Sequence, residues 1–297
     1  MDSAAETDDS LLRVSPITSG GLRAVLLTSD GVAVDSEHVP PAGGSGHIAI
    51  VIAHGFSGSL ERPAVRRAAR QLSRYGGVIT FSFRGHGRSG GRSTVGDLEV
   101  HDLEAAVRWA RRLGYARVAT VGFSMGGSVV LRHAGSAAGG GTAAGGGTAA
   151  GGTGLGRIGQ GGGGQGVDAV VAVSSPARWY YRGTAPMRRL HWAVTRPVGR
   201  LVTRVGLRTR IHPEEWDPVP LSPVESVRYI APTPLLIVHG DRDTYFPLDH
   251  PLSLAEAAGE GGAELWIEPG FGHAENAADP ALLARIGDWL TARVPGM

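Results

Sequence analysis

Arg117-Val118-Ala119-Thr120-Val121-Gly122-Phe123-Ser124-Met125-Gly126-Gly127-Ser128-Val129-Val130-Leu131-Arg132-His133 joins a β-type apolar run to a helix-compatible one through a serine set between two glycines. A strand that becomes a helix within so few residues holds the central residue in a strained conformation, and its neighbours must be small so that chain segments can approach closely. In such a nucleophile elbow the Ser124 hydroxyl projects from the carboxyl edge of a sheet. The next amide, that of Met125, then points where an oxyanion would form. A plain Gly-rich turn is the competing reading, because the 297-residue chain holds 47 glycines.

A serine hydroxyl is too weak an acid to attack a carbonyl unaided, so a base must take its proton and a carboxylate must orient that base. Pro234-Leu235-Leu236-Ile237-Val238 reads as a buried parallel strand, with His239-Gly240-Asp241-Arg242-Asp243 at its carboxyl end. Leu265-Trp266-Ile267 reads as a last strand, followed by Pro269-Gly270-Phe271-Gly272-His273. Serine, aspartate and histidine each follow a strand, in that chain order. The plainer alternatives are a turn-forming aspartate and a loop histidine.

Further carriers are His54-Gly55-Phe56 after the strand Ile48 to Ala53 and Arg84-Gly85-His86-Gly87-Arg88-Ser89 after the strand Val78 to Phe83. On these five elements the chain resembles the α/β-hydrolase superfamily, in its esterase, lipase and lysophospholipase-like branch with a short lid, over roughly residues 45 to 292. The resemblance implies Ser124 as nucleophile, His273 as general base and later acid, and Asp243 as orienting carboxylate. Asp241 competes for the acid role, but the family pattern places the acid two residues later. The resemblance also implies an oxyanion hole from the Phe56 and Met125 backbone N–H groups. The expected activity is carboxylesterase-like: cleavage of a small acyl ester or thioester through an acyl-enzyme, without a cofactor. An amidase or peptidase, a perhydrolase or an acyltransferase of the same fold would keep the triad, and a non-catalytic ligand-binding module stands further off. A dehalogenase would carry aspartate where Ser124 stands.

The wider pattern agrees. Residues 20 to 40 read as an antiparallel hairpin turning at Asp30-Gly31, and helical patterns follow from Pro63 to Arg74 and from Asp97 to Arg112. Alternating strands and helices predict an α/β fold with a mostly parallel sheet covered on both faces, plus a small helical lid. The hydrophobic content of 42% is ample for a core. With no cysteine and no lysine among its 29 basic side chains, the chain has neither thiolate nor Schiff-base chemistry. The acidic, polar start is unlike a signal peptide and no run is long enough to cross a membrane, so a soluble cytoplasmic protein is expected. Residues 1–15 are expected to be disordered, with the domain running from 16 to 297.

Two segments depart from the plain fold. Residues 135–166 hold 17 glycines, including a Gly-Gly-Gly-Thr-Ala-Ala hexapeptide at 139 and again at 145, and are expected to be a flexible insertion. Residues 178–233, the expected lid, carry ten arginines against four acidic residues. On a helix Arg196, Arg200, Arg204 and Arg208 form one stripe, and Val198, Leu201, Val202 and Val205 fall largely on another face. One reading is a solvated basic face above an apolar lid underside; the other is attraction to an anionic substrate or membrane surface. Trp179, Tyr180, Tyr181 and Trp192 either line an acyl pocket or anchor the lid. Gly85-His86-Gly87-Arg88-Ser89-Gly90 matches a dinucleotide fingerprint, but six residues separate it from the next helical run, which argues against nucleotide binding. The histidines lack ligand spacing and the arginines lack RNA-binding motifs, so neither a metal nor a nucleic acid is expected.

Overall fold

The apolar runs Ile48–Ala53, Gly77–Phe81, Ala169–Val173 and Leu235–Gly240 are buried at every residue, as strands covered on both faces must be. The computed structural model describes residues 11–17, 20–43, 46–138 and 166–294. Among these a single sheet contains β1 (Leu11–Pro16), β2 (Leu22–Leu27), β3 (Ala33–Val39), β4 (Ile48–Ala53), β5 (Gly77–Phe81), β6 (Arg117–Phe123), β7 (Ala169–Val173), β8 (Leu235–Gly240) and β9 (Glu264–Glu268). The strand order is β1-β2-β3-β5-β4-β6-β7-β8-β9. The pairs from β1 through β3 to β5 are antiparallel, and every pair from β5 through β4 to β9 is parallel.

The expected hairpin is β2 and β3, paired from Leu22 with His38 to Leu27 with Ala33. Leu11–Pro16 form a strand paired with β2, so the fold begins by Leu11, where the sequence reading had disorder up to residue 15. Arg13 to Pro16 are exposed, so this edge strand is held by backbone pairing and leaves no apolar alternation to read. Residues 1–10 and most of the Gly-rich insertion, 139–165, lie outside the described residues.

The helices are α1 (Pro63–Leu72), α2 (Glu99–Arg112), α3 (Met125–Ala138), α4 (Ala185–Thr195), α5 (Pro197–Gly206), α6 (Pro223–Ser226), α7 (Asp249–Ala258), α8 (Ala274–Ala277) and α9 (Pro280–Arg293). Side chains alternate across each strand. Val51, Ala53 and Phe81 therefore meet Leu103, Val130 and Leu254 of α2, α3 and α7 in one core, while Ile50, Ile52 and Val78 meet Val65, Leu283 and Ile286 of α1 and α9 in the other. Each of these side chains other than the Ala53 methyl contributes about 1.5–3 kcal/mol through burial. Because β4 lies between β5 and β6, the chain reverses its direction of travel across the sheet there, and in open α/β sheets the carboxyl ends of the strands at such a reversal are where ligands bind.

Residues 178–233 stand between β7 and β8 and carry α4, α5, α6 and a 3-10 turn, Val227–Tyr229. On α5 the structure reverses the expected apolar underside. The helix turns Gly199 and Thr203 inward and leaves Val198, Leu201, Val202 and Val205 exposed. A Cβ on Gly199 would lie 2.6 Å from the Ala193 Cα, so α5 rests on the backbone of α4 through its small residues. No helix among the described residues is long and apolar enough to cross a membrane.

Candidate active site

Ser124 is the single residue between β6 and α3, with φ 52°, and its N–H donates to the Val173 carbonyl of β7 at 2.9 Å. The flanking glycines are steric necessities. A Cβ on Gly122 would lie 2.2 Å from the Gly126 carbonyl oxygen, and one on Gly126 would lie 2.2 Å from the Ala53 carbonyl oxygen. Any larger residue at either position would push α3 away from β4 and β6.

The strand ends bring the three sequence-predicted side chains together. Ser124 Oγ donates to His273 Nε2 at 3.0 Å, and His273 Nδ1–H donates to Asp243 Oδ2 at 2.7 Å. The Asp243 side chain is inaccessible to solvent, and its Oδ1 accepts the Tyr245 and Phe246 N–H groups at 2.8 and 3.1 Å. Burial acts to raise the Asp243 carboxyl. The His273 hydrogen bond and charge, with the Phe246 and Tyr245 amides, outweigh that and hold it below the usual carboxylate range. Asp241 is exposed and accepts the Gly270 N–H at 2.6 Å, which ties the loop after β8 to the loop that carries His273 and leaves the imidazole to Asp243.

The loop after β4 is clamped from several sides. Glu275, in α8 directly behind His273, accepts the Gly55 N–H at 3.0 Å. His86 donates through Nδ1–H to the Arg84 carbonyl at 2.9 Å, which leaves its Nε2 to accept the Ser57 N–H at 3.3 Å. His54 donates to the Gly55 carbonyl at 2.7 Å and accepts the Phe83 N–H at 3.0 Å. Burial, followed by the nearby His86, pushes the His54 imidazole down to about 3, and burial also lowers His86, so both stay neutral and one nitrogen of each ring is free to accept. Between these clamps the Phe56 N–H, like the Met125 N–H at the start of α3, has no acceptor among the described residues. Arg84, itself buried, ties the following loop to Asp102 at 2.8 Å and to Asp30 at 2.6 Å. In the dinucleotide-like loop, a Cβ on Gly85 would lie 2.4 Å from the Arg210 carbonyl oxygen, so protein chain fills the space a phosphate would need.

The aromatic residues of 178–233 divide. The Trp179 ring lies 5.0 Å from that of Trp216 and its N–H donates to the Pro220 carbonyl at 2.9 Å; Tyr180 meets the same Trp216 at 5.5 Å. Trp216 donates to the Thr94 carbonyl, so this cluster fastens the segment to the loop after β5. Tyr181 meets His250 at 4.5 Å and Phe246 at 6.2 Å, and the Phe246 ring is 5.6 Å from that of His273. Trp192 is exposed on α4, where it lines a shallow depression with Arg188 and Arg189.

Sequence reasoning missed Glu275 and Tyr245. The Tyr245 ring stacks on His273 at 4.2 Å with 23° between planes. Glu275 is buried with its carboxyl raised by that burial, and a Cβ on Gly55 would lie 3.1 Å from Glu275 Oε2 and 3.3 Å from Ser124 Cβ. An acidic residue two positions beyond the histidine was the only available signal, and nothing in its spacing points to Gly55.

The family model described as Alpha/beta hydrolase family matches residues 50–286, and the chain belongs to that family. Solved structures with the same fold include the esterase Pf2001 of Pyrococcus furiosus, at 20% identity and a TM-score of 0.64, with 91% of each chain covered. The Butyrivibrio proteoclasticus protein Est1E with ferulic acid bound matches at 17% identity and a TM-score of 0.56, covering 90% of this chain and 98% of that one. A serine hydrolase without lid from Xanthomonas campestris matches at 18% identity and a TM-score of 0.56, covering 95% and 99%. No curated protein sequence matches significantly.

Proposed function

We propose that the protein is a serine hydrolase that cleaves a small carboxylic ester or thioester through an acyl-enzyme on Ser124. The observation that carries this reading is the continuous hydrogen-bond relay from Ser124 through His273 to Asp243. A carboxylate only accepts hydrogen bonds, so His273 keeps its proton on Nδ1 and offers the Nε2 lone pair to the serine. As Ser124 Oγ attacks the acyl carbon, its proton passes to Nε2 and Asp243 stabilises the resulting imidazolium. The carbonyl oxygen becomes an oxyanion and accepts from the Phe56 and Met125 N–H groups. The imidazolium then protonates the leaving alcohol or thiol. Water repeats the sequence in reverse, giving its proton to Nε2 and releasing the acid and free Ser124.

Glu275 and His86 act through the backbone in this scheme, as positioning residues that hold Gly55 and Ser57 on either side of the Phe56 amide. Residues 178–233 act as a short lid that bears on the site through Tyr181 and Phe246. The test is a panel of p-nitrophenyl esters, thioesters and peptide anilides, run on the wild type and on Ser124→Ala. Ester or thioester turnover should fall by about 10⁴ or more in the variant. A preference for anilides would make the protein an amidase, and activity above about a tenth of wild type in the variant would remove Ser124 as nucleophile.

A further inference from the structure

α5 is amphipathic, yet its small residues face the protein and its large apolar residues face water. Val205 is 75% exposed, Val198 64%, Leu201 59% and Val202 54%, while Gly199 and Thr203 make the contact with the rest of the segment. Spaced three and four apart, the four form one continuous stripe along the helix. Trp192 on α4, 50% exposed, adds an amphipathic ring to the same two-helix unit. An isolated exposed valine is unremarkable, but a contiguous apolar stripe on a surface helix marks a docking face.

The surroundings of that stripe say what docks. Arg204 is exposed on α5, Arg196 and Arg208 flank it at the N-cap and just past its end, so the expected helical stripe stops before Arg208, and Arg188 and Arg189 are exposed on α4; none has a carboxylate partner among the described residues. The whole segment 178–233 carries ten arginines against Glu214, Glu215, Asp217 and Glu225, a formal +6 on a chain whose total is +2. A second copy meeting the first across a two-fold axis would oppose arginine to arginine, so self-association through this face works against its own charge. A surface that is apolar within and negatively charged at its rim satisfies both features. An anionic lipid bilayer is such a surface: the valines, leucine and tryptophan enter the acyl boundary and the arginines meet the headgroups. We infer that α4 and α5 form a peripheral docking face for anionic membranes.

The test is independent of catalysis. The Ser124→Ala variant keeps this face and leaves the lipid intact. It is sedimented with unilamellar vesicles of phosphatidylcholine alone, or of phosphatidylcholine containing about 30% phosphatidylglycerol. Partitioning onto the anionic vesicles should exceed that onto the neutral ones by at least about tenfold, and raising the salt to about 0.5 M should abolish most of the difference. Leu201→Asn with Val205→Asn should lose binding at unchanged thermal midpoint, since both sites are exposed. Arg204→Gln with Arg208→Gln should lose the anionic preference. Equal binding to both vesicles, or binding to neither, overturns the proposal. So does sedimentation equilibrium showing a dimer that the Leu201/Val205 variant dissociates, because the face would then be covered by a second copy.

Discussion

Around Ser124 each part is held by several others: the flanking glycines admit no larger residue, the serine amide is bonded to β7, and the Gly55 and Ser57 amides are fixed by Glu275 and His86. α5 rests on α4 through Gly199 and Thr203, with Arg200 donating to the Val194 and Thr195 carbonyls, and it turns its bulky apolar residues to solvent. In the first region close packing specifies one geometry; in the second the large apolar side chains are left without partners in this chain. Substitutions should therefore act through chemistry at the elbow, and on α5 should leave fold and turnover alone.

The sharpest break would come at the triad. His273→Ala should cost about 10⁴ in kcat/KM, and adding Ser124→Ala should cost little more, because the two act as a unit. Asp243→Asn should cost up to about 10⁴ by favouring the wrong imidazole tautomer. Asp241→Asn, whose aspartate accepts only the Gly270 N–H, should stay within about tenfold of wild type. Comparable losses in the two variants would mean that the loop as a whole, and not the Asp243–His273 bond, is being disturbed.

A smaller effect is expected at the clamp. Glu275→Ala frees the Gly55 amide and should lower kcat by about ten- to a hundredfold, short of the loss from removing an oxyanion donor outright. KM should change little. Glu275→Gln should recover most of the rate, since its amide oxygen still accepts the Gly55 N–H. A loss in KM alone, or no recovery in the glutamine variant, would assign Glu275 a different role.

The buried histidines sharpen the contrast through pH. His54 is held down to about 3 and His250 to about 4 by burial, and His239 and His86 are also lowered. At these four rings the unfolded chain binds more protons than the folded one below the ordinary imidazole pKa, a trend that the buried Asp102 and Glu275 carboxyls, both raised by burial, oppose in part. The stabilisation from the rings is complete above about pH 6.5 and is lost as pH falls towards the folded values. The thermal midpoint should fall steeply from about pH 7 to about pH 5. A flat profile there would show that these rings can take up protons without opening the fold.

Least affected should be the fold itself when α5 is changed. Leu201→Asn and Val205→Asn should shift stability by no more than about 0.5 kcal/mol and leave turnover of a short soluble ester unchanged. Larger losses would mean that the stripe is covered in solution.

What the sequence made legible follows the same division. β4 was delimited to the residue, because Ile48 to Ala53 is an unbroken apolar run ended by His54-Gly55. The elbow and His273 were legible because strand ends and chain order constrain them, whereas the choice of Asp243 over Asp241 rested on the family resemblance alone. Glu275 was not, since its contact with Gly55 spans 220 residues and depends on how α8 folds back. Periodicity showed that α5 has two faces but could not say which one turns inward. That was decided by the backbone approach at Gly199, a tertiary fact. β1 was missed because an exposed edge strand leaves no apolar alternation.

In the proposed mechanism Ser124, activated by His273, is the group that attacks. That role is tested most directly by treating the wild type and Ser124→Ala with a fluorophosphonate and measuring the intact mass and the labelled peptide. One adduct per wild-type chain is expected, on the peptide containing Ser124, and none on the variant. Stoichiometric labelling of Ser124→Ala, or an adduct on a different serine, would contradict it.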